Sequence, residues 1–286
     1  MAKVAGPEMT RAGYDDRYAA GTVAAGGTLG ILIPPSVPLM IYGIMTETDI
    51  GTLFIAGIVP GLLIVLGLAL VIFLVGFFGG GLPAGERNAQ RTRADVLVAG
   101  LVPAVIPLVV IAGIMLGIMT PTESGAVAAI IALVLGFAYR ELKVRDLGGI
   151  FLGVALNTAT ITGLIAAASV LSWVLAFQGV PDMVVEQMAG LTDSPFVFLL
   201  LVIGMLLILG MFLESISVLI VVVPILMPVV NALGIDPIHF GVICTIATVI
   251  GLLFRATIPF LAMVMASLVL IAAVPALSTW LPALMR

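Results

Sequence analysis

The sequence predicts an all-α integral membrane protein that crosses the bilayer several times, and three observations carry that prediction. First, 62% of the 286 residues are hydrophobic and 9% are charged, against about 25% charged in soluble domains. Second, mean hydropathy is +1.34. Third, several apolar runs are long enough to span a hydrocarbon core of about 30 Å, which takes roughly 20 helical residues. The runs are continuous in Leu, Ile, Val, Ala and Gly, without the two-residue alternation of a transmembrane barrel. Helices follow from that.

The remaining composition mainly excludes. A net charge of −4 with its few charges in loops speaks against nucleic acid as a partner. One cysteine, Cys244, in an apolar run rules out an internal disulfide or thiolate cluster and reads as packing. The first 20 residues are polar and charged, with no apolar core of a signal peptide. His239 is the lone histidine, so no histidine cluster can hold a metal, and interface packing is its expected role. Trp173 and Trp280 read as buried or interfacial anchors. An intramembrane enzyme would need a nucleophile–His pair, HExxH or paired intramembrane aspartates. None is present.

Apolar segments fall near 22–45, 52–78, 96–118, 124–139, 148–178, 195–230, 238–253 and 257–275. Basic residues collect in cytoplasmic loops. Lys3, Arg11 and Arg17 therefore place the start inside, as do Arg87, Arg91 and Arg93 for loop 79–95, and Arg140, Lys143 and Arg145 for loop 140–147. The loops Thr46–Asp49 and Gln178–Ser194 carry Glu47, Asp49, Asp182, Glu186 and Asp193 without Lys or Arg, and face the other side. Three regions result: 1–51, a partial first repeat with a broken helix; 52–178, transmembrane arm and scaffold helices; and 179–286, a second repeat with a re-entrant hairpin at 195–230 and a terminal helix.

The word repeat rests on one offset. Pro7, Gly13, Asp15, Gly30 and Pro38 match Pro228, Gly234, Asp236, Gly251 and Pro259, each 221 residues later (228 − 7 = 221) and without a gap. Basic residues surround the first copy and none lies near the second, which implies opposite membrane sides. Related units on opposite sides form an inverted-topology repeat, the device by which secondary transporters build a midplane site. Chance similarity among apolar helices is the competing account.

Within the first copy, Gly26, Gly27, Thr28 and Gly30 precede Pro34, Pro35 and Ser36. Adjacent prolines forbid a continuous helix and leave carbonyls without intrahelical donors. Those carbonyls, with the hydroxyls of Thr28 and Ser36 and the close approach that glycine permits, suit an all-oxygen site for Na+, with Thr28, Gly30 and Ser36 as candidate ligands. A plain proline kink is the alternative. The second candidate is Glu214 with Ser215 and Ser217, because a mid-bilayer carboxylate costs about 2.5–3.5 kcal/mol and normally faces protein or water. Segment 195–230 is too long for one crossing, so Met211–Ser217 reads as the tip of a re-entrant hairpin, with a structural Glu214 as the alternative. Thr120-Pro121-Thr122-Glu123 reads first as a capping box that starts a helix.

Gly30–Ser36, Met119–Ser124, Gly210–Ser215 and Gly234–Gly241 follow one another as in the large membrane subunit of a TRAP transporter (tripartite ATP-independent periplasmic), which the chain resembles almost from end to end. That resemblance implies an elevator-type permease of the bacterial inner membrane. It implies sodium symport of an organic acid of the C4-dicarboxylate or sialic acid type, without a cofactor. The implied partners are a small membrane subunit, a periplasmic substrate-binding protein and the lipid bilayer.

Two departures stand out. The family's amino-terminal scaffold helices and the tip of its first hairpin have no counterpart before Met1. The Pro-Pro break expected after Gly251-Leu252-Leu253 is replaced by Phe254-Arg255-Ala256-Thr257, as if a segment had been lost there. Arg255 and Ala256 stand where Pro34 and Pro35 stand in the first copy (255 − 221 = 34). On this reading the chain is a truncated remnant of the family that does not itself transport.

Overall fold

The computed structural model describes residues 8–78, 105–192, 194–252 and 258–285, and among these it is helices joined by short turns, with no strand. In order they are α1 (Asp16–Leu32), α2 (Val37–Thr46), α3 (Ile50–Ala56), α4 (Ile58–Phe78) and α5 (Val105–Met115). Then come α6 (Pro121–Ala138), α7 (Leu147–Phe177), α8 (Val180–Leu191), α9 (Pro195–Phe212), α10 (Ser215–Ala232), α11 (Pro237–Leu252), α12 (Ile258–Ala273) and α13 (Ala276–Ala283). Five spans among the described residues are long and apolar enough to cross a membrane, or six if α12 and α13, bent by 61°, count as one. The protein is thus a multi-pass, all-α membrane protein.

Local signals explain most boundaries. Asp49 caps α3 by accepting from the Thr52 amide at 2.7 Å, after Glu47 has closed α2 in the left-handed region at φ 54°. Thr120 and Glu123 form the expected reciprocal box, the Glu123 carboxylate accepting from the Thr120 amide at 2.7 Å and Thr120 Oγ1 from the Glu123 amide at 3.3 Å. With Pro121 in the first turn, this starts α6. One expected loop is corrected: most of Gln178–Ser194 is the helix α8. Val184 and Val185 pack on the core from it, which supplies enough apolar burial to fix a helix carrying acidic residues. Likewise α1 begins at Asp16, six residues before the apolar run, because Asp15 Oδ1 accepts from the Tyr18 amide at 3.2 Å and starts the helix early. Loop 79–95, Lys3, and Phe254 to Thr257 lie outside the described residues.

The two copies found by offset share backbone geometry. Gly13 and Gly234 both have positive φ, 87° and 66°. Hydrogen bonds from Gly13 N to Thr10 O and from Tyr14 N to Met9 O recur as Gly234 N to Asn231 O and Ile235 N to Val230 O. This is a glycine-terminated helix end in which the residue after the last turn must be left-handed. Asp236 Oδ1 then accepts from the Ile238 amide at 2.7 Å and the His239 amide at 3.4 Å, as Asp15 does for Tyr18. The following helices start 221 residues apart, at Asp16 and Pro237.

The core is assembled around α11. α9, α10, α2, α1 and α3 all pack against it, and every described side chain from Phe240 to Ile250 is buried. Tyr42 of α2 is its central attachment. The Tyr42 hydroxyl donates to the Pro237 carbonyl at 2.6 Å, and the ring lies 6.5 Å from that of Phe240, which stacks on Phe198 of α9 at 6.4 Å. Gly241 makes room, since a Cβ there would stand 2.5 Å from Tyr42 Cε1. By contrast the span containing α7 is 6% buried and that of α6 11%, against 44% for α10.

Gly241→Ala is therefore expected to destabilise the protein by about 1–3 kcal/mol through overpacking against Tyr42. Unfolding in detergent, measured in the wild-type and in a Tyr42→Leu background, checks it: the cost must shrink when the ring is removed. An equal cost in both backgrounds would place the clash elsewhere.

Candidate functional site

The first break is residues 33–36, between α1 and α2. Pro34 and Pro35, joined by a cis bond, provide no amide hydrogens for the carbonyls of Gly30 and Ile31 four residues earlier. Ser36 is buried at 1% exposure and caps α2, its Oγ accepting from the Leu39 amide at 3.3 Å. The neighbouring wall is the joint of α3 and α4, where a Cβ on Gly57 would stand 3.0 Å from the Leu32 carbonyl oxygen. A plain kink in one helix does not describe this break, because two separately capped helices meet at it.

The upstream glycines behave differently from expectation. Gly26 is half-buried and Gly27 and Gly30 are exposed, and a Cβ on any of the three would meet nothing within 4 Å. Close backbone approach is thus not what they provide among the described residues; that role falls to Gly57, which the sequence reading missed. The side chain of Thr28 lies outside the described set.

The second break falls at Leu213 and Glu214, inside the expected tip. Leu213 is extended and Glu214 caps α10, its Oε2 accepting from the Ser217 amide at 3.2 Å and from Ser217 Oγ at 3.3 Å. Glu214 is exposed and Ser217 half-buried, beside exposed Met211, Phe212 and Leu213. Ser215 turns inward. It is 5% exposed, and its Oγ donates to the Thr248 carbonyl of α11 at 3.3 Å.

That bond identifies residues absent from the candidate set. Thr248 Oγ1 lies 3.0 Å from the carbonyls of both Cys244 and Thr245, and Thr245 Oγ1 is buried without a hydrogen-bond partner among the described residues. Ser215, Thr245 and Thr248 thus gather hydroxyl and carbonyl oxygens one turn from the end of α11 at Leu252. The signal in the sequence was two threonines three residues apart on an apolar helix, a spacing that puts both on one face. The two breaks are joined through α11, which receives both α1 and the tip of α10.

The other residues singled out in the sequence lie away from the two breaks or deeper in the core. His239 is buried with Nδ1 3.4 Å from Ser278 Oγ, linking α11 to α13. Cys244 is fully buried. Trp173 and Trp280 are 67% and 57% exposed, so neither is a core anchor.

Comparison with known proteins places the chain in a family. The family described as tripartite ATP-independent periplasmic transporter, DctM component, matches residues 1–254. The C4-dicarboxylate TRAP transporter large permease protein DctM of Pseudomonas aeruginosa is 35% identical over 96% of this chain and 69% of its own length. The sialic acid TRAP transporter large permease protein SiaM of Vibrio cholerae is 35% identical over 86% of this chain and 57% of its own length. The 2,3-diketo-L-gulonate TRAP transporter large permease protein YiaN of Escherichia coli is 34% identical over 86% and 58%. The chain thus spans between about half and about two thirds of the length of these relatives. The alignment with the Pseudomonas protein runs over 297 positions, while 96% of 286 residues is about 275, so roughly 20 positions of that relative have no residue here. With a family match over most of its length and relatives that are permeases and not enzymes, this multi-pass membrane protein belongs to the DctM-component family of tripartite ATP-independent periplasmic transporters.

Proposed function

We propose that the chain derives from the large subunit of a sodium-coupled carrier that takes up organic acids across the bacterial inner membrane with a small membrane subunit and a periplasmic binding protein. The observation that carries this reading is the pair of helix breaks on elements packed against one buried helix, the first capped by Ser36 and the second carrying the Glu214 carboxylate and setting Ser215 Oγ on the Thr248 carbonyl of that helix. Oxygen-only coordination suits a hard cation, and broken helices are where secondary transporters hold coupling ions. In this reading Thr28, Gly30 and Ser36 serve one ion, with Gly26, Gly27, Pro34 and Pro35 shaping the break. Glu214, Ser215 and Ser217, joined by Thr245 and Thr248, serve the hairpin side. The solutes named for the three relatives are carboxylic acids and that named for a fourth, isethionate, is a sulfonate, so the support is for a small organic acid and not for one acid group.

A second reading, a remnant that does not transport, is favoured by three observations. The family match stops at residue 254, and the alignment leaves roughly 20 positions unmatched. Arg255 takes the place of Pro34 in the offset, and a fixed positive charge there would repel sodium.

Sodium-driven uptake into proteoliposomes with cognate small subunit and binding protein decides between the two. The chain as it stands is expected to give no sodium-dependent uptake, and a version built out to the relatives' full length, with both missing segments including the one after Leu253, to give it. Equal uptake by both would overturn the remnant reading. In the active version, Ser36→Ala and Thr28→Ala raise the sodium concentration for half-maximal uptake; unchanged sodium dependence in both removes the first break from the ion site.

Glu214 separates cap from site. Glu214→Gln retains an oxygen for the Ser217 amide, so unfolding should shift by only a few tenths of a kcal/mol, whereas Glu214→Ala loses the cap and costs about 1 kcal/mol. If Glu214 faces the transport pathway, uptake falls in both variants. Uptake that tracks stability alone leaves it a structural cap.

A further inference from the structure

A cavity of about 250 Å³ lies between the carboxyl-terminal end of α7 and the proline segment of α10, with Ser172, Leu175 and Ala176 on one wall and Pro224, Ile225 and Pro228 on the other. It opens outward, because Ala176 is itself exposed and is flanked by exposed Trp173, Val174 and Phe177. The span to which α7 belongs is long and apolar enough to cross a membrane and is 6% buried, which is why a bilayer lipid is taken as the neighbour of the opening. Trp173 and Phe177 stack at 5.7 Å in the last turns of α7, the placement of an aromatic belt beneath the headgroups.

The lining decides what fills it. Its side chains are apolar except for the Ser172 hydroxyl, and the added acceptor is the Pro224 carbonyl, which Pro228, lacking an amide hydrogen, cannot pair. A buried water needs two to four polar partners, and a charged solute would find no countercharge among the lining residues. A methylene chain meets neither obstacle and is the solvent at the opening. At about 30 Å³ per water-sized group, the volume holds one short run of methylenes and not two chains side by side.

We propose that this cavity is a lipid site that takes one acyl chain of a phospholipid, wedged between α7 and the turn of α10 where Pro224 and Pro228 have removed two helical hydrogen bonds. The chain supplies packing at the weakest turn of that helix. The site is independent of the transport reading, since it needs only that the protein spans a bilayer.

The test reconstitutes the full chain in phosphatidylethanolamine and phosphatidylglycerol vesicles containing a trace phospholipid with a diazirine on one acyl chain, followed by illumination and peptide mapping. Labelling is expected on 224–228 as well as on freely exposed Phe78. Filling the cavity from either wall, with Ser172→Phe or Ile225→Phe, should lower the label on 224–228 by roughly tenfold and leave Phe78 unchanged. Two walls are used so that one variant's failure to fold does not decide the matter. Label on 224–228 no greater than on buried 218–220, label indifferent to both substitutions, or label from a diazirine fatty acid but not from the phospholipid would each overturn the proposal.

Discussion

Inside hydrocarbon a backbone carbonyl has no water to turn to, so every point where this chain stops being helical must be repaired by protein. That constraint organises the rest of the fold. At the first break the repair is the Ser36 cap and the joint of α3 and α4 pressed against Leu32, with Gly57 allowing the approach. At the second it is the Glu214 cap outside and the Ser215 to Thr248 bond inside. Apolar surface alone could not hold these breaks, because lipid is as apolar as leucine and association in the membrane rests on packing and hydrogen bonds.

The helix that receives both repairs is α11. Its described residues from Phe240 to Ile250 are all buried, which sets it at the centre. Tyr42 ties its first turn to α2, Phe240 carries that contact to α9, and His239 carries it to α13. The exposed arms, α6 and α7, have the opposite character. The 34 residues from Val144 to Phe177 reach about 51 Å at 1.5 Å per residue, well beyond the hydrocarbon thickness, so this arm must tilt or project beyond the core.

What was legible in the sequence follows the kind of force involved. Composition settles the class, and apolar run length places the spans. Gly13, Gly234, Asp15 and Asp236 revealed the repeat because glycine ends and aspartate caps demand particular residues. The break between α9 and α10 was legible for the same reason, since Glu214 had to be accounted for. Thr245 and Thr248 were not, because threonine in an apolar helix usually bonds back to its own turn, and only the docking of Ser215 separates Thr248 from that ordinary case. Nor was α8 legible as a helix: its acidic residues marked a loop, and the tertiary contacts of Val184 and Val185 overrode that signal. Gly57 was one glycine among 32 until the Leu32 carbonyl stood beside it.

The two copies agree in their turns and diverge on their faces, and the divergence is physically instructive. Tyr18 and His239 occupy the same register, 221 apart, and both are buried, yet Tyr18 stacks on Tyr14 at 5.9 Å while His239 reaches Ser278. Gly27 and Thr248 likewise correspond, one exposed with open space before it and the other buried under the tip of α10. A shared backbone path therefore tolerates different neighbours so long as the caps at its ends persist. In the second copy the start of α10 covers the helix and Ser215 bonds to it, whereas in the first the corresponding surface carries only glycine and alanine at Ala24 and Gly27. The half of the site that can be described in side-chain terms is thus the one that α10 closes over, and its oxygen cluster owes its burial to that closure.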